Sequence, residues 1–190
     1  MKVLAIGNSF SQDATAYLHR MAKLADVDMK VVNLFIPGCS LETHWENAES
    51  GTPAYAYELN GEETQRTISL KDSLIEENWD IVTLQQASHF SGQAATYEPY
   101  LAQLTGYVRA LSSQARIFLH ETWAYETDSD HGAFVTYHCN QNEMYIRLKE
   151  AYRSAASALN LPLIPTGDVI QALRGFPAFC LFVRFRGHGG

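Results

Sequence analysis

The sequence has little positive charge, few cysteines and no long apolar run, and each shortage removes a class of function. Its 190 residues carry 14 Lys and Arg against 21 Asp and Glu, a net charge of −7, and the pI is about 5.4. No cluster of Lys or Arg appears before the segment from Phe176 onward. Nucleic acid and an anionic membrane both need a concentrated basic face, so neither is expected as a partner. No apolar stretch approaches the roughly 18 residues of a membrane span. No charged n-region or apolar h-region stands before the first strand, so the expected location is the cytoplasm. Cys39, Cys139 and Cys180 are far apart and odd in number. They read as reduced thiols, not as a disulfide framework or a zinc site. There is no metal-ligand spacing, phosphate loop or Gly-x-Gly-x-x-Gly, so no cofactor is expected.

What is present is an apolar α/β pattern: 46% of residues are hydrophobic and 18% charged, which suits a globular domain with a sizeable core. Strand patterns at Lys2–Ile6, Met29–Phe35, Asp80–Leu84, Ala115–Leu119 and Leu161–Ile164 alternate with helical ones. The first helix should begin near Ser11 and bury Ala14, Tyr17, Leu18, Met21 and Leu24, which recur at helical spacing. Tyr55–Leu59 and Thr64–Ile68 flank Asn60-Gly61 and predict a β-hairpin with a type I′ turn, inserted after the second strand near the active-site rim. Ser69 with Asp72 predicts a capped short helix, Tyr97–Ser112 a further one, Asn142–Ala158 a long one and Asp168–Arg174 the last. Five strands joined by helices imply a three-layer α/β/α fold: a flavodoxin-like five-stranded parallel sheet, ordered 2-1-3-4-5, carrying the inserted hairpin.

Ser9 lies where the first strand gives way to a helix, the rim on which α/β folds do their chemistry and the end at which a helix favours negative charge. Gly7-Asn8-Ser9-Phe10 resembles the Gly-Asp-Ser-Leu block of the SGNH (GDSL-type) hydrolases, with Asn for Asp and Phe for Leu. Ile36-Pro37-Gly38-Cys39-Ser40 resembles that superfamily's second block, and Val82–Ser88 stands where its Gly-x-Asn-Asp usually lies. With His120–Tyr125, the set is similar to a bacterial SGNH-like subgroup over residues 1–175. The resemblance implies a Ser9 nucleophile and an oxyanion hole formed by the N–H groups of Ser9 and Gly38. It adds one side-chain amide, expected from Gln86, since strand alternation turns Gln85 the other way.

The superfamily's Asp-x-x-His pair should follow the fifth strand, but residues 176–190 carry no such string. They read as an anomalous or truncated tail. Only Asp128-Ser-Asp-His131 matches the string, after the fourth strand, where a polar loop is the plainer expectation. His19 reads as a solvated residue, His44 as a pocket residue or a helix cap, His89 as a rim residue that could contact substrate, and His120 as a buried strand end. Trp45, Phe90, Trp123 and Tyr125 form either an aromatic platform for a sugar or acyl chain, or packing for the hairpin. Without a closing helix, a few hundred Å² of apolar surface left wet would forfeit on the order of 5–10 kcal/mol. Dimerisation, or the tail folding back, is therefore expected. The leading expectation is a hydrolase of small or carbohydrate carboxylic esters, impaired by the absent pair. The alternative is a catalytically silent ligand-binding or truncated domain. A flavin-binding flavodoxin is disfavoured, because the first loop lacks a Ser/Thr-rich phosphate cradle.

Overall fold

Strand β1 (Lys2–Gly7) is apolar from Val3 to Ile6 and buried on both faces, which places it at the centre of a parallel sheet. It pairs in parallel with β2 (Lys30–Phe35) on one side and β5 (Ile81–Leu84) on the other. Beyond β5 come β6 (Arg116–His120) and the two-residue β7 (Leu163–Ile164), both parallel. The parallel strands therefore take the expected 2-1-3-4-5 order. The computed structural model describes residues 1–176; the expectations for the tail, Cys180 among them, lie outside the described residues.

The hairpin strands β3 (Tyr55–Leu59) and β4 (Glu62–Ile68) extend the same sheet beyond β2, giving seven strands in the order β4-β3-β2-β1-β5-β6-β7. Asn60 and Gly61 have φ of +55° and +87°, the two positive values a type I′ turn needs. The expected position of this hairpin near the rim needs correction. Because β3 runs antiparallel to β2, its turn lies at the opposite edge, where the Val31 N–H donates to Asn60 Oδ1 (2.9 Å). A Cβ on Gly61 would stand 2.1 Å from the Ala16 carbonyl oxygen, so only glycine lets the turn press on this neighbour.

The first connection runs one way along the sheet and the later ones the other. Right-handed crossovers then set α1 (Ser9–Thr15) and α2 (Leu18–Leu24) on one face. The opposite face takes α3 (Leu41–Ser50), α4 (Leu70–Ile75), α5 (Tyr100–Leu111) and α6 (Gln141–Ala158), before α7 (Thr166–Leu173) closes the described chain. Ser69 caps α4 through the Asp72 N–H as its sequence suggests (3.1 Å). The first helix departs from expectation. It breaks at Ala16–Tyr17, and Tyr17, Met21 and Leu24 are 67, 65 and 82% exposed. The buried seam of α1 is polar instead. Ser11 Oγ donates to Asn33 Oδ1 (2.7 Å), Asn33 Nδ2 donates to Glu58 Oε2 (2.7 Å), and Gln12 Nε2 donates to Glu58 Oε1. A satisfied polar seam is invisible to a count of apolar positions. No helix among the described residues is long and apolar enough to cross a membrane.

Candidate functional site

Parallel register brings the strand ends together: Gly7 lies beside Phe35, Ile6 beside Leu84, Leu84 beside Leu119, and His120 beside Ile164. The segments that follow those ends form one rim. Asn8 is buried in it and organises it. Its Oδ1 accepts the Phe10 N–H (3.1 Å), capping α1, and its Nδ2 donates to the Cys39 carbonyl (3.0 Å). The turn carrying Ser9 is thus tied to the loop carrying Gly38. Ser9 is the first residue of α1 and is exposed, and among the described residues its Oγ has no hydrogen-bond partner. Gly38 is exposed with φ +60°, and a Cβ there would meet nothing within 4 Å. Its glycine answers a backbone requirement and not a steric one. Neither the Ser9 nor the Gly38 N–H has a hydrogen-bond partner among the described residues.

Gln86 is placed differently from expectation. Both hydrogens of its buried carboxamide go to Thr96, to the carbonyl and to Oγ1 at 3.0 Å each. Its Oε1 accepts the N–H groups of Leu41 (3.0 Å) and Ala87 (2.8 Å). No N–H of this side chain is left for an oxyanion. Gln86 instead clamps the start of α3 to the loop after β5, and so fixes the segment that follows Gly38. The side chain that reaches the Ser9 turn is Gln85, whose Nε2 donates to Asn8 Oδ1 (2.7 Å). The strand ends at Leu84, and alternation no longer governs where the next side chains point. A cavity of about 280 Å³ lies beside the Gly38 loop, lined in part by Ser40, Glu42, Gln86, Phe90, Thr96 and Tyr100.

The histidines divide by burial. His44 sits beneath the Gly38 loop with Nδ1 2.9 Å from Tyr55 Oη and 3.4 Å from Cys39 Sγ. Burial pushes its pKa down to about 3 and the Cys39 thiol up to about 12. His120 Nδ1 lies 2.8 Å from Gln85 Oε1 and Nε2 3.0 Å from Thr166 Oγ1, and burial lowers its pKa to about 4. His131 is exposed. Its Nδ1 accepts the Ala133 N–H (3.2 Å), capping a short 3-10 turn, and Nε2 faces Tyr125 Oη at 3.4 Å. Asp128 is not among the hydrogen-bond partners of His131, so the string does not assemble as an acid–base pair. His19 Nδ1 sits 2.6 Å from the Met29 carbonyl.

The aromatic residues mostly pack. Trp123 lies against Phe10 (4.4 Å between centroids), Trp45 edges onto Tyr107 of α5 (6.3 Å), and Tyr125 stacks on His131 (4.6 Å). Trp45, on α3, thus reaches α5 and packs against the core. Phe90 remains half exposed, against His89.

Glu121, directly after β6, lies within the His120–Tyr125 block, but the sequence does not single it out as a site residue. It is fully buried, and neither carboxylate oxygen makes a well-formed hydrogen bond, although the Asp168 backbone N–H faces it. Burial first, and then the nearby Asp168 charge, raise its pKa to about 7, against partial relief from the Asp168 backbone N–H, Arg153 and Lys149. Gly167 makes this approach possible: a Cβ there would stand 2.3 Å from the Thr122 carbonyl oxygen and 2.5 Å from Glu121 Oε1. Among the described residues no three His, Cys, Asp or Glu side chains gather as metal ligands.

Comparison with known proteins agrees with this layout. Residues 2–177 match the model of a family described as a domain of unknown function, DUF4886. A DUF4886 family protein from Bacteroides uniformis is 40% identical, with a TM-score of 0.86 over 92% of this chain and 70% of that one. A protein from Slackia heliotrinireducens, described as a candidate SGNH hydrolase, is 24% identical with a TM-score of 0.60, over 90% of this chain and 82% of that one. An acetylxylan esterase from Geobacillus stearothermophilus is 13% identical with a TM-score of 0.55, over 92% and 80%. No curated protein matches. The fold is SGNH-like.

Proposed function

The chain belongs to the DUF4886 family, and on the geometry of its rim we propose that it is a serine hydrolase of carboxylic esters with Ser9 as nucleophile. What supports this reading is an exposed serine hydroxyl at the head of α1 together with two unengaged backbone N–H groups, those of Ser9 and Gly38, on segments tied to each other through the Asn8 bond to the Cys39 carbonyl. Acyl transfer needs a nucleophile and donors for the tetrahedral oxyanion, and these groups are of the right kind. Gln86 serves as a clamp on the Gly38 segment and not as a donor. The substrate class proposed is a small or carbohydrate ester. The acetylxylan esterase likeness reaches only the fold, and the half-exposed Phe10 and Phe90 offer apolar faces of the kind a sugar ring or acyl chain uses.

Turnover is expected to be slow. Among the described residues no imidazole is hydrogen-bonded to Ser9, and a triad enzyme stripped of one member keeps only about 10³–10⁴-fold acceleration over water. With p-nitrophenyl acetate, the chain should turn over well below about 1 s⁻¹, the low end of the ordinary enzyme range, and Ser9→Ala should remove what remains. A second reading, an SGNH-like domain that binds a ligand without chemistry, draws on the same missing imidazole. Equal and uncatalysed rates for the chain and its Ser9→Ala variant would favour it.

A further inference from the structure

The buried polar groups beneath Ser9 form a chain whose hydrogen-bond directions all follow from one backbone amide. The Phe10 N–H can only donate, so the Asn8 atom facing it is the oxygen, Oδ1. Gln85 must then meet Oδ1 with Nε2 (2.7 Å), which turns its own Oε1 toward His120 Nδ1 (2.8 Å). That oxygen can only accept, so Nδ1 carries the hydrogen. In the neutral ring Nε2 is then the acceptor, and the Thr166 hydroxyl at the head of α7 donates to it across 3.0 Å. At the far end Asn8 Nδ2 completes the chain on the Cys39 carbonyl (3.0 Å), beside Gly38.

We propose that His120, set in the Nδ1–H tautomer by Gln85 Oε1 with Thr166 donating to Nε2, is a positioning residue for Ser9 that acts through Gln85 and Asn8. The proposal rests on the hydrolase reading of Ser9. His120 does not touch the hydroxyl. Its N–H keeps Gln85 from turning over, and a turned Gln85 would set Oε1 against Asn8 Oδ1, two acceptors face to face. Turning Asn8 to relieve this would set Nδ2 against the Phe10 N–H and Oδ1 against the Cys39 carbonyl, so the cap on α1 and the hold on that carbonyl would go together and the two oxyanion donors would lose their common support. Buried hydrogen bonds of this kind polarise one another, so a reversal at one end is felt along the whole chain. Burial keeps the ring neutral at ordinary pH, as the tautomer requires.

The test uses the full chain with His120→Asn, which places an amide N–H where Nδ1–H stood, and His120→Asp, which offers only acceptors there. Long-range proton–nitrogen NMR of the unmodified chain at pH 7 should show His120 neutral with Nδ1 protonated. An Nε2–H tautomer or an imidazolium overturns the assignment. The rate at which a fluorophosphonate modifies Ser9 should stay within about 3-fold in His120→Asn and fall at least about 10-fold in His120→Asp, a change of about 1.4 kcal/mol. Equal rates in the two variants overturn the positioning role. If Ser9 is inert in all three proteins, the hydrolase reading fails and the relay is judged by hydrogen exchange at the Phe10 amide. Exchange should be about 10-fold faster in His120→Asp than in His120→Asn, and equal exchange overturns the relay. Should His120→Asp not fold, Gln85→Met, of equal length without polar ends, takes its place with the same expected results.

Discussion

Replacing Asn8 by Ala is expected to destabilise the chain by about 3–7 kcal/mol and to abolish reactivity at Ser9. Asn8 is buried, and its side chain makes three hydrogen bonds, to the Phe10 N–H, the Cys39 carbonyl and Gln85 Nε2. Losing the N-cap costs about 1 kcal/mol. The Cys39 carbonyl and the Gln85 amide would each be left buried without a partner, at about 1–3 kcal/mol apiece. Asn8→Asp should cost less, because a carboxylate still caps α1 and favours its positive end. It cannot donate to the Cys39 carbonyl, so part of the loss should remain. Urea unfolding of the three proteins, read at constant slope, gives the comparison. Asn8→Ala within about 1 kcal/mol of the unmodified chain would show that Asn8 does not hold the rim together.

The second large effect is on the pH dependence of stability. Burial lowers the folded pKa of His44 to about 3 and of His120 to about 4, from 6.5. The unfolded chain therefore binds protons that the native state excludes. The stability these rings contribute is fully present above pH 6.5 and is lost as pH falls toward the folded values. Glu121 works the other way. Its folded pKa is raised from 4.5 to about 7, so its contribution is fully present below pH 4.5 and is lost as pH rises through 7. At about 1.4 kcal/mol per proton and pH unit, two histidines outweigh one carboxyl between pH 4.5 and 6.5. Stability should rise by about 2–3 kcal/mol across that window and then level or dip slightly toward pH 7.5. Glu121→Gln removes the opposing group, so the rise should steepen to about twice the slope. Urea midpoints at pH 4.5, 5.5, 6.5 and 7.5 decide it. Stability that is flat or falling up to pH 6.5 would mean that these groups are not buried as described.

These two predictions draw on residues that the sequence disclosed unequally. The parallel order was legible because alternating strand and helix patterns with right-handed crossovers leave few arrangements. Asn60-Gly61 and Ser69 with Asp72 were legible for a local reason: each pair encodes its own backbone geometry. Ser9, Gly38 and the loop after β5 could be placed on one rim because they follow parallel strands. The rest was carried by side-chain direction and by polar pairing across long separations. Asn33 and Glu58 make the inner face of α1 polar, so Tyr17, Met21 and Leu24 stay outside despite their spacing. Gln85 and Gln86 differ in role only because the strand stops at Leu84. Glu121 gave no sign of being orphaned, although Gly167 is the mark its close approach left in the sequence.

The central claim, that Ser9 is the nucleophile of an ester hydrolase, is met most directly by mass spectrometry after prolonged exposure to a fluorophosphonate. A single adduct is expected on the tryptic peptide Val3–Arg20, with fragment ions assigning it to Ser9 and not to Ser11, whose hydroxyl is buried between the Asn8 carbonyl (2.8 Å) and Asn33 Oδ1 (2.7 Å). The adduct should be absent from Ser9→Ala. Modification at another serine, or none at a reagent concentration that labels an ordinary serine esterase, would contradict the account.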